Sequence, residues 1–339
     1  YGPLALKWNY IPKMINWFLY YLKNCNKKSM LHTAKYMNQI LSLSNDAYEE
    51  IFQEINVDGL VEKKGIIYVW TNKNLKSRKL EIKVRDELGV RQKLLTRDEV
   101  LKLEPNLNPV FDAGVIYENA MHARDPHGIL KEIFKLYIKR GGKFIQSDIT
   151  SIEQKTVNET IIKSANDVYK FEKSVIASGA FSKKLTDQLG ENIPLDTERG
   201  YHVHFKDKDK LISRPVIFLD RGFGMTPMNQ GLRAVGTVEL GGLKNPPSKK
   251  RIEYITNCAK ELLPQLGKHD DEWLGFRPTL PDFLPILGPS LKNKNIIYAF
   301  GHQHLGWTLG AITGKIISGL VAGEQTNLDL SPYSSKRFK

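Results

Sequence analysis

The feature that most narrows the fold lies in the last third of the chain. An apolar run, Ile296 to Phe300, meets the segment Gly301-His302-Gln303-His304-Leu305-Gly306, which leads into a helix-like stretch from Trp307 to Val321. A strand, a glycine-rich turn and a helix start, in that order, suit a layered α/β domain. Such a junction turns backbone N–H groups and the positive end of a helix dipole toward whatever lies above it. Just upstream, Gly275-Phe276-Arg277-Pro278-Thr279-Leu280-Pro281-Asp282 fixes an arginine before a proline. Its planar fork suits a carboxylate. The two segments together point to a site for an electron-rich ring and a small acid.

The rest of the chain reads as mixed α and β. Residues 1 to 56 read as helices: Trp8 to Leu22, with Pro12 in the first turn of a helix over Lys13 to Lys23, and then Asp46 to Ile55. Gly65 to Thr71 and Ala113 to Tyr117 read as strands. Between them, Thr96-Arg97-Asp98-Glu99 fits a capping box, and Pro105 ends that short helix. Asp125-Pro126 opens a helix with Leu130, Ile133, Phe134 and Tyr137 as its inner face; Gly141-Gly142 stops it. Lys143 to Gln146, Ile149 to Gln154, Thr160 to Lys163 and Lys173 to Ala177 are the next expected strands, leading into Ser178-Gly179-Ala180. Residues 199 to 242 look all-β, and Ser248 to Leu263 is an amphipathic helix.

Length and composition bound the function. A chain of 339 residues with 41% hydrophobic content has room for two domains and a large core. The net charge of +13 reads either as a solvated lysine surface or as attraction to an anionic membrane. No basic block is interleaved with aromatics as single-strand binders need, which excludes nucleic acid as a partner. Cys25 and Cys258 make neither a disulfide framework nor a zinc spacing, so no metal is expected and a reducing, cytoplasmic compartment is. No signal peptide and no run of about 18 uncharged apolar residues is found, so no spanning helix is expected. The aromatic segment Trp8 to Leu22 reads either as a helix buried in the protein or as an interfacial helix. In the second reading Lys7, Lys13, Lys23, Lys27 and Lys28 meet lipid phosphates on the inner face of the plasma membrane.

Five segments carry a resemblance: Pro194-Leu195-Asp196-Thr197-Glu198-Arg199-Gly200-Tyr201-His202, Gly236-Thr237-Val238-Glu239-Leu240-Gly241-Gly242, Gly275-Phe276-Arg277-Pro278, Pro285-Ile286-Leu287-Gly288-Pro289 and Phe300 to Gly306. In this order they resemble the D-amino-acid dehydrogenase branch of the FAD-dependent D-amino-acid oxidase superfamily. The departure is at the N-terminus. No G-x-G-x-x-G fingerprint follows a strand, and the chain begins at Tyr1, so it reads as a fragment without the first βαβ unit. The resemblance implies a two-domain flavoprotein of class α/β plus antiparallel β. Residues 123 to 195 and 293 to 325 would belong to a Rossmann-like FAD domain. Residues 40 to 122 and 196 to 292 would form a substrate domain on a large, mostly antiparallel sheet, with 1 to 39 a helical segment and 326 to 339 a tail.

The same resemblance implies site residues. Arg277 would pair with a substrate carboxylate; the plain alternative is a structural ion pair with Asp282 or another acid. Gly301, His302, Gln303, His304, Leu305, Gly306, Trp307 and Thr308 would lie beside the flavin pyrimidine, and Ser178, Gly179 and Ala180 would form a second FAD-contacting turn. His304 would act in acid–base chemistry or gating, whereas His302 reads as a structural histidine. Tyr201 is either a substrate contact or a core tyrosine. The implied reaction is oxidative deamination of a D-amino acid to a 2-oxo acid and ammonia by hydride transfer to FAD, with a quinone-type acceptor. A glycine- or sarcosine-type oxidase is the alternative within the superfamily, and a non-catalytic membrane or interaction protein the alternative outside it. The fragment alone is expected to be inactive.

Overall fold

The computed structural model describes residues 2–72, 75–156 and 158–339. Tyr1, the first residue of the expected helical segment, lies outside them. The chain forms two compact units. One comprises residues 1–7, 54–139 and 199–275, the other residues 8–53, 140–198 and 276–339. The units therefore change over at 7/8, 53/54, 139/140, 198/199 and 275/276, where the sequence placed its limits at 39/40, 122/123, 195/196, 292/293 and 325/326.

The first unit is built on a large mixed sheet. Its strand order is Asp271–Thr279, Asp196–Lys206, Gly231–Leu240, Phe223–Met228, Val216–Phe218, Ile66–Trp70, Ala113–Tyr117 and Lys93–Thr96, with Leu4–Leu6 added to Gly231–Leu240. Leu4–Leu6 and Val216–Phe218 pair in parallel with their neighbours Gly231–Leu240 and Ile66–Trp70. Phe223–Met228 runs antiparallel to both of its neighbours, and Ala113–Tyr117 does the same. Strand alternation sends Tyr201, Val203 and Phe205 into a core shared with Ile252, Ile255 and Leu262 of the helix Lys249–Leu262. This is the inward stripe of the amphipathic pattern seen in the sequence.

The second unit holds a three-stranded sheet in the order Ser174–Ile176, Ile296–Phe300, Ile286–Pro289 and a separate meander of Ile149–Thr156, Glu159–Ser164 and Val168–Phe171. Ser174–Ile176 runs parallel to Ile296–Phe300, with Ile176 opposite Tyr298. A buried carboxylate ties the unit together. Glu191 Oε1 accepts from Leu291 N at 3.0 Å and the Tyr298 hydroxyl at 3.1 Å, while Oε2 accepts from the Ser335 hydroxyl at 3.1 Å. A buried acid so fully bonded holds the C-terminal residues against the sheet.

Several expectations change in detail. Residues 143–146 form no strand, because no ladder of backbone bonds extends to them among the described residues, and Phe144 stays exposed. Pro12 lies inside a 3₁₀ turn, Trp8–Met14, and the α-helix begins only at Ile15. In the helix Pro126–Lys139 the most deeply buried residue is Ile129; Leu130, Phe134 and Tyr137 are exposed, so the covered face is rotated by about one residue. The segment Gln303–Ala322 is in fact long and apolar enough to cross a membrane. One side of it packs within the unit: Leu309, Ile312 and Ile316 are buried, and Lys315 pairs with Glu50 at 2.5 Å.

Candidate functional site

The second unit brings most of the sequence-selected residues to one end of its sheet. The parallel strands Ser174–Ile176 and Ile296–Phe300 each give way to a glycine turn at the carboxyl end, the first at Ser178-Gly179-Ala180 and the second at Gly301 to Leu305. Ligands of open α/β sheets bind beyond the carboxyl ends of the strands. Gly179 has a φ of +56°, and a Cβ there would meet nothing within 4 Å. The Ser178 hydroxyl lies 3.4 Å from that of Ser182. Gly301 has a φ of +88°, and a Cβ would sit 2.5 Å from Leu280 Cδ1, so only glycine fits.

The second turn leaves hydrogen-bond donors unused. Gln303 takes a left-handed φ of +52°, rare for a residue with a side chain, and its amide Nε2 is buried without a hydrogen-bond partner. The helix Gly306–Ala322 starts directly after it, with no side chain capping its first N–H groups and no acid in its first turn. Gly306, Trp307 and Thr308 are exposed there, and the Trp307 carbonyl accepts from the Tyr48 hydroxyl. An unpaired buried amide beside an uncapped helix start fits a flat, electron-rich ring with carbonyl acceptors, such as a flavin.

Arg277 is half-buried near the same turn. Burial lowers its pKa, and the carboxylate of Glu198 opposes that shift. Burial in turn raises the pKa of Glu198, against the pull of Arg277. The other acid considered from sequence, Asp282, is engaged elsewhere: its Oδ2 accepts from Arg337 Nε at 2.5 Å. Burial and the positive charge of Arg277 together hold His304 below the ordinary histidine value, so it is neutral at pH 7. His302 is engaged by the helix: its Nε2 lies 3.0 Å from the Thr313 hydroxyl, and burial pushes its pKa down to about 4.

Tyr201 belongs to the first unit. It is 1% exposed in the core of the first unit, donates to Glu239 Oε2 at 2.7 Å and accepts from Ser248 N at 3.1 Å. Its hydroxyl donates one bond and accepts one within the core, which agrees with the core-tyrosine alternative. Glu198 is the residue that sequence reasoning passed over. The signal available was an acid at a strand position just before the Arg199-Gly200 pair, in a segment already singled out for resemblance.

The fold and this turn define a flavin-binding oxidoreductase. A family profile described as FAD dependent oxidoreductase (DAO) matches residues 13–320, and the chain belongs to that family. Its cofactor is FAD. The chain is 30% identical to a D-amino-acid oxidase of Bradyrhizobium diazoefficiens over 99% of its own length and 82% of the relative. It is 26% identical to a D-amino acid dehydrogenase of Vibrio atlanticus over 100% of its length and 83% of the relative. The crystal structure of glycine oxidase from Geobacillus kaustophilus superimposes with a TM-score of 0.78 at 21% identity, covering 88% of this chain and 81% of that one. At that identity the likeness concerns the fold.

Proposed function

We propose that the protein oxidises a D-amino acid to a 2-oxo acid and ammonia and passes the electrons to a quinone-type acceptor. The observation that carries this reading is the cluster of Arg277, Glu198 and His304 at the flavin-type turn. The names of the curated relatives, D-amino-acid oxidase and D-amino acid dehydrogenase, support it.

Bound FAD supplies a two-electron acceptor for the hydride that leaves the substrate Cα. Arg277 binds the substrate carboxylate through its fork and so orients Cα. Glu198 holds the guanidinium in place before substrate arrives and offsets its charge. His304, neutral at pH 7, accepts a hydrogen bond from the substrate amino group. The amine must be unprotonated for its lone pair to form the C=N bond as the Cα–H bond breaks, and water then hydrolyses the imine to ammonia and the 2-oxo acid. The N–H groups at Gly306 to Thr308 and the amide of Gln303 stabilise negative charge that builds on the ring.

The test is anaerobic mixing of the full-length protein with D- and L-amino acids, glycine and sarcosine, followed by bleaching of the flavin. A D-amino acid should bleach it and its L-enantiomer should not. Reoxidation should be faster with a soluble quinone than with oxygen. Preferential bleaching by glycine or sarcosine would overturn the substrate assignment, and equal or faster reoxidation by oxygen the acceptor assignment.

A further inference from the structure

We propose that the outward face of the helix Ile15–Asn24, with Trp8 beside it, docks the protein on an anionic lipid leaflet. The helix has two unlike sides. At 3.6 residues per turn, Met14, Trp17 and Tyr21 fall on one side and Ile15, Leu19 and Leu22 on the other. The first side is engaged. Met14 and Trp17 are buried, Trp17 stacks on Tyr21 with centroids 5.2 Å apart, and its Nε1 donates to Thr279 O at 3.2 Å. The second side is open: Ile15, Leu19 and Leu22 are 53%, 62% and 64% exposed, and Trp8 is 81% exposed. The engaged side matches the reading of a helix packed in the protein, and the open side is the surface the interfacial reading would use.

Charge selects the occupant. Residues 1 to 45 contain six lysines and no aspartate or glutamate. Lys13, just before the helix, Lys23 in its last turn, and Lys27 and Lys28 at the start of the next helix are all exposed. A second copy of the chain seated symmetrically on this face would bring these lysines against their own equivalents, which is repulsive. An anionic leaflet instead offers phosphates at the rim and acyl chains under the stripe, with the indole of Trp8 at headgroup level. A helix of this length spans about 15 Å, half of a hydrocarbon core, so it lies in the interface and does not cross it.

The experiment is co-sedimentation of the full-length protein with phosphatidylcholine vesicles, with and without phosphatidylglycerol, at low and high salt. Binding to the anionic vesicles should exceed binding to neutral ones by at least about tenfold and weaken in 1 M salt, where the Debye length is about 3 Å. Leu19→Glu with Leu22→Glu should lose about tenfold in vesicle binding. It should keep wild-type turnover with a soluble acceptor and a wild-type melting profile. Lys23→Glu, Lys27→Glu and Lys28→Glu together should abolish the preference for anionic lipid. Equal recovery on neutral and anionic vesicles at every salt level overturns the proposal, as does full binding by the double leucine variant. So does a change of oligomeric mass in that variant with vesicle binding intact, which would assign the face to a second copy.

Discussion

An isolated antiparallel bridge joins Thr279 to His302. It ties the strand that carries Arg277 to the turn that carries His304, two residues from each. The Thr279 hydroxyl also bonds back to the Arg277 carbonyl at 3.1 Å, and Trp17 holds the Thr279 carbonyl from the other side. The arginine is thus positioned by backbone pairing next to it.

Arg277→Ala is expected to lower kcat/KM by roughly 10- to 100-fold while flavin content stays at the wild-type level, since one charge-assisted pair is worth about 1.5–3 kcal/mol. Arg277→Lys should fall between, because it keeps the charge and loses the fork. Steady-state kinetics with flavin quantified from absorbance decide the matter. A kcat/KM within about twofold of wild type in the alanine variant removes the carboxylate role.

On the proposed reading, Glu198 competes with the substrate carboxylate for the guanidinium of Arg277. Glu198→Gln should therefore lower KM for the amino acid, by roughly 3- to 10-fold on the scale of a partly screened ion pair. The same variant leaves Arg277 without its offsetting charge, so small anions such as chloride should inhibit it more strongly than wild type. An unchanged KM together with unchanged anion inhibition would place Glu198 outside the binding event.

Tyr201→Phe separates the core role from a substrate role. The hydroxyl serves Glu239, whose other oxygen faces Arg199 and Lys7, each at 3.5 Å. Removing it strips a bond from a buried carboxylate and should cost about 1–3 kcal/mol of stability, read by urea denaturation. KM should stay within about twofold. A rise in KM beyond tenfold with unaltered stability would return Tyr201 to the active site.

Local signals were the legible part of this fold. The capping box at Thr96 and Glu99 forms, with Thr96 N donating to Glu99 Oε2 at 2.8 Å. Asp125 caps the helix that starts at Pro126, accepting from Gly128 N at 3.0 Å. The strand–turn–helix around Gly301 lies within a residue or two of its expected limits, because glycine, strand propensity and helix periodicity all act over a few neighbours. What escaped depends on distant partners. Asp282 is paired by Arg337, 55 residues on, so proximity in sequence to Arg277 said nothing about its ion pair. Tyr201 looked like a site residue because glycine precedes it, but the choice between sheet faces is made by what packs there, the helix Lys249–Leu262. Residues 143–146 have strand composition, but no strand ladder extends to them among the described residues.

His302 makes the turn sensitive to acid. Its pKa is about 4 in the fold, where burial penalises the charged ring, against about 6.5 for a free histidine. The unfolded chain therefore takes up a proton below pH 6.5 that the folded chain refuses. Stability contributed by the neutral ring is fully present above about pH 6.5, falls as pH drops, and levels off below about 4. The total is on the order of 3 kcal/mol, at one pKa unit per 1.36 kcal/mol. His202 and His122 also lie near 4 and add to the acid slope of the whole protein, so the contribution of His302 has to be read as a difference. His302→Asn cannot titrate there. Urea denaturation of wild type and variant at pH 7.5 and 4.5 should show a stability loss smaller in the variant by roughly 2–3 kcal/mol. Parallel losses in the two proteins would mean that His302 already carries its proton in the fold, and its bond to Thr313 would then have to be redrawn with the ring as donor.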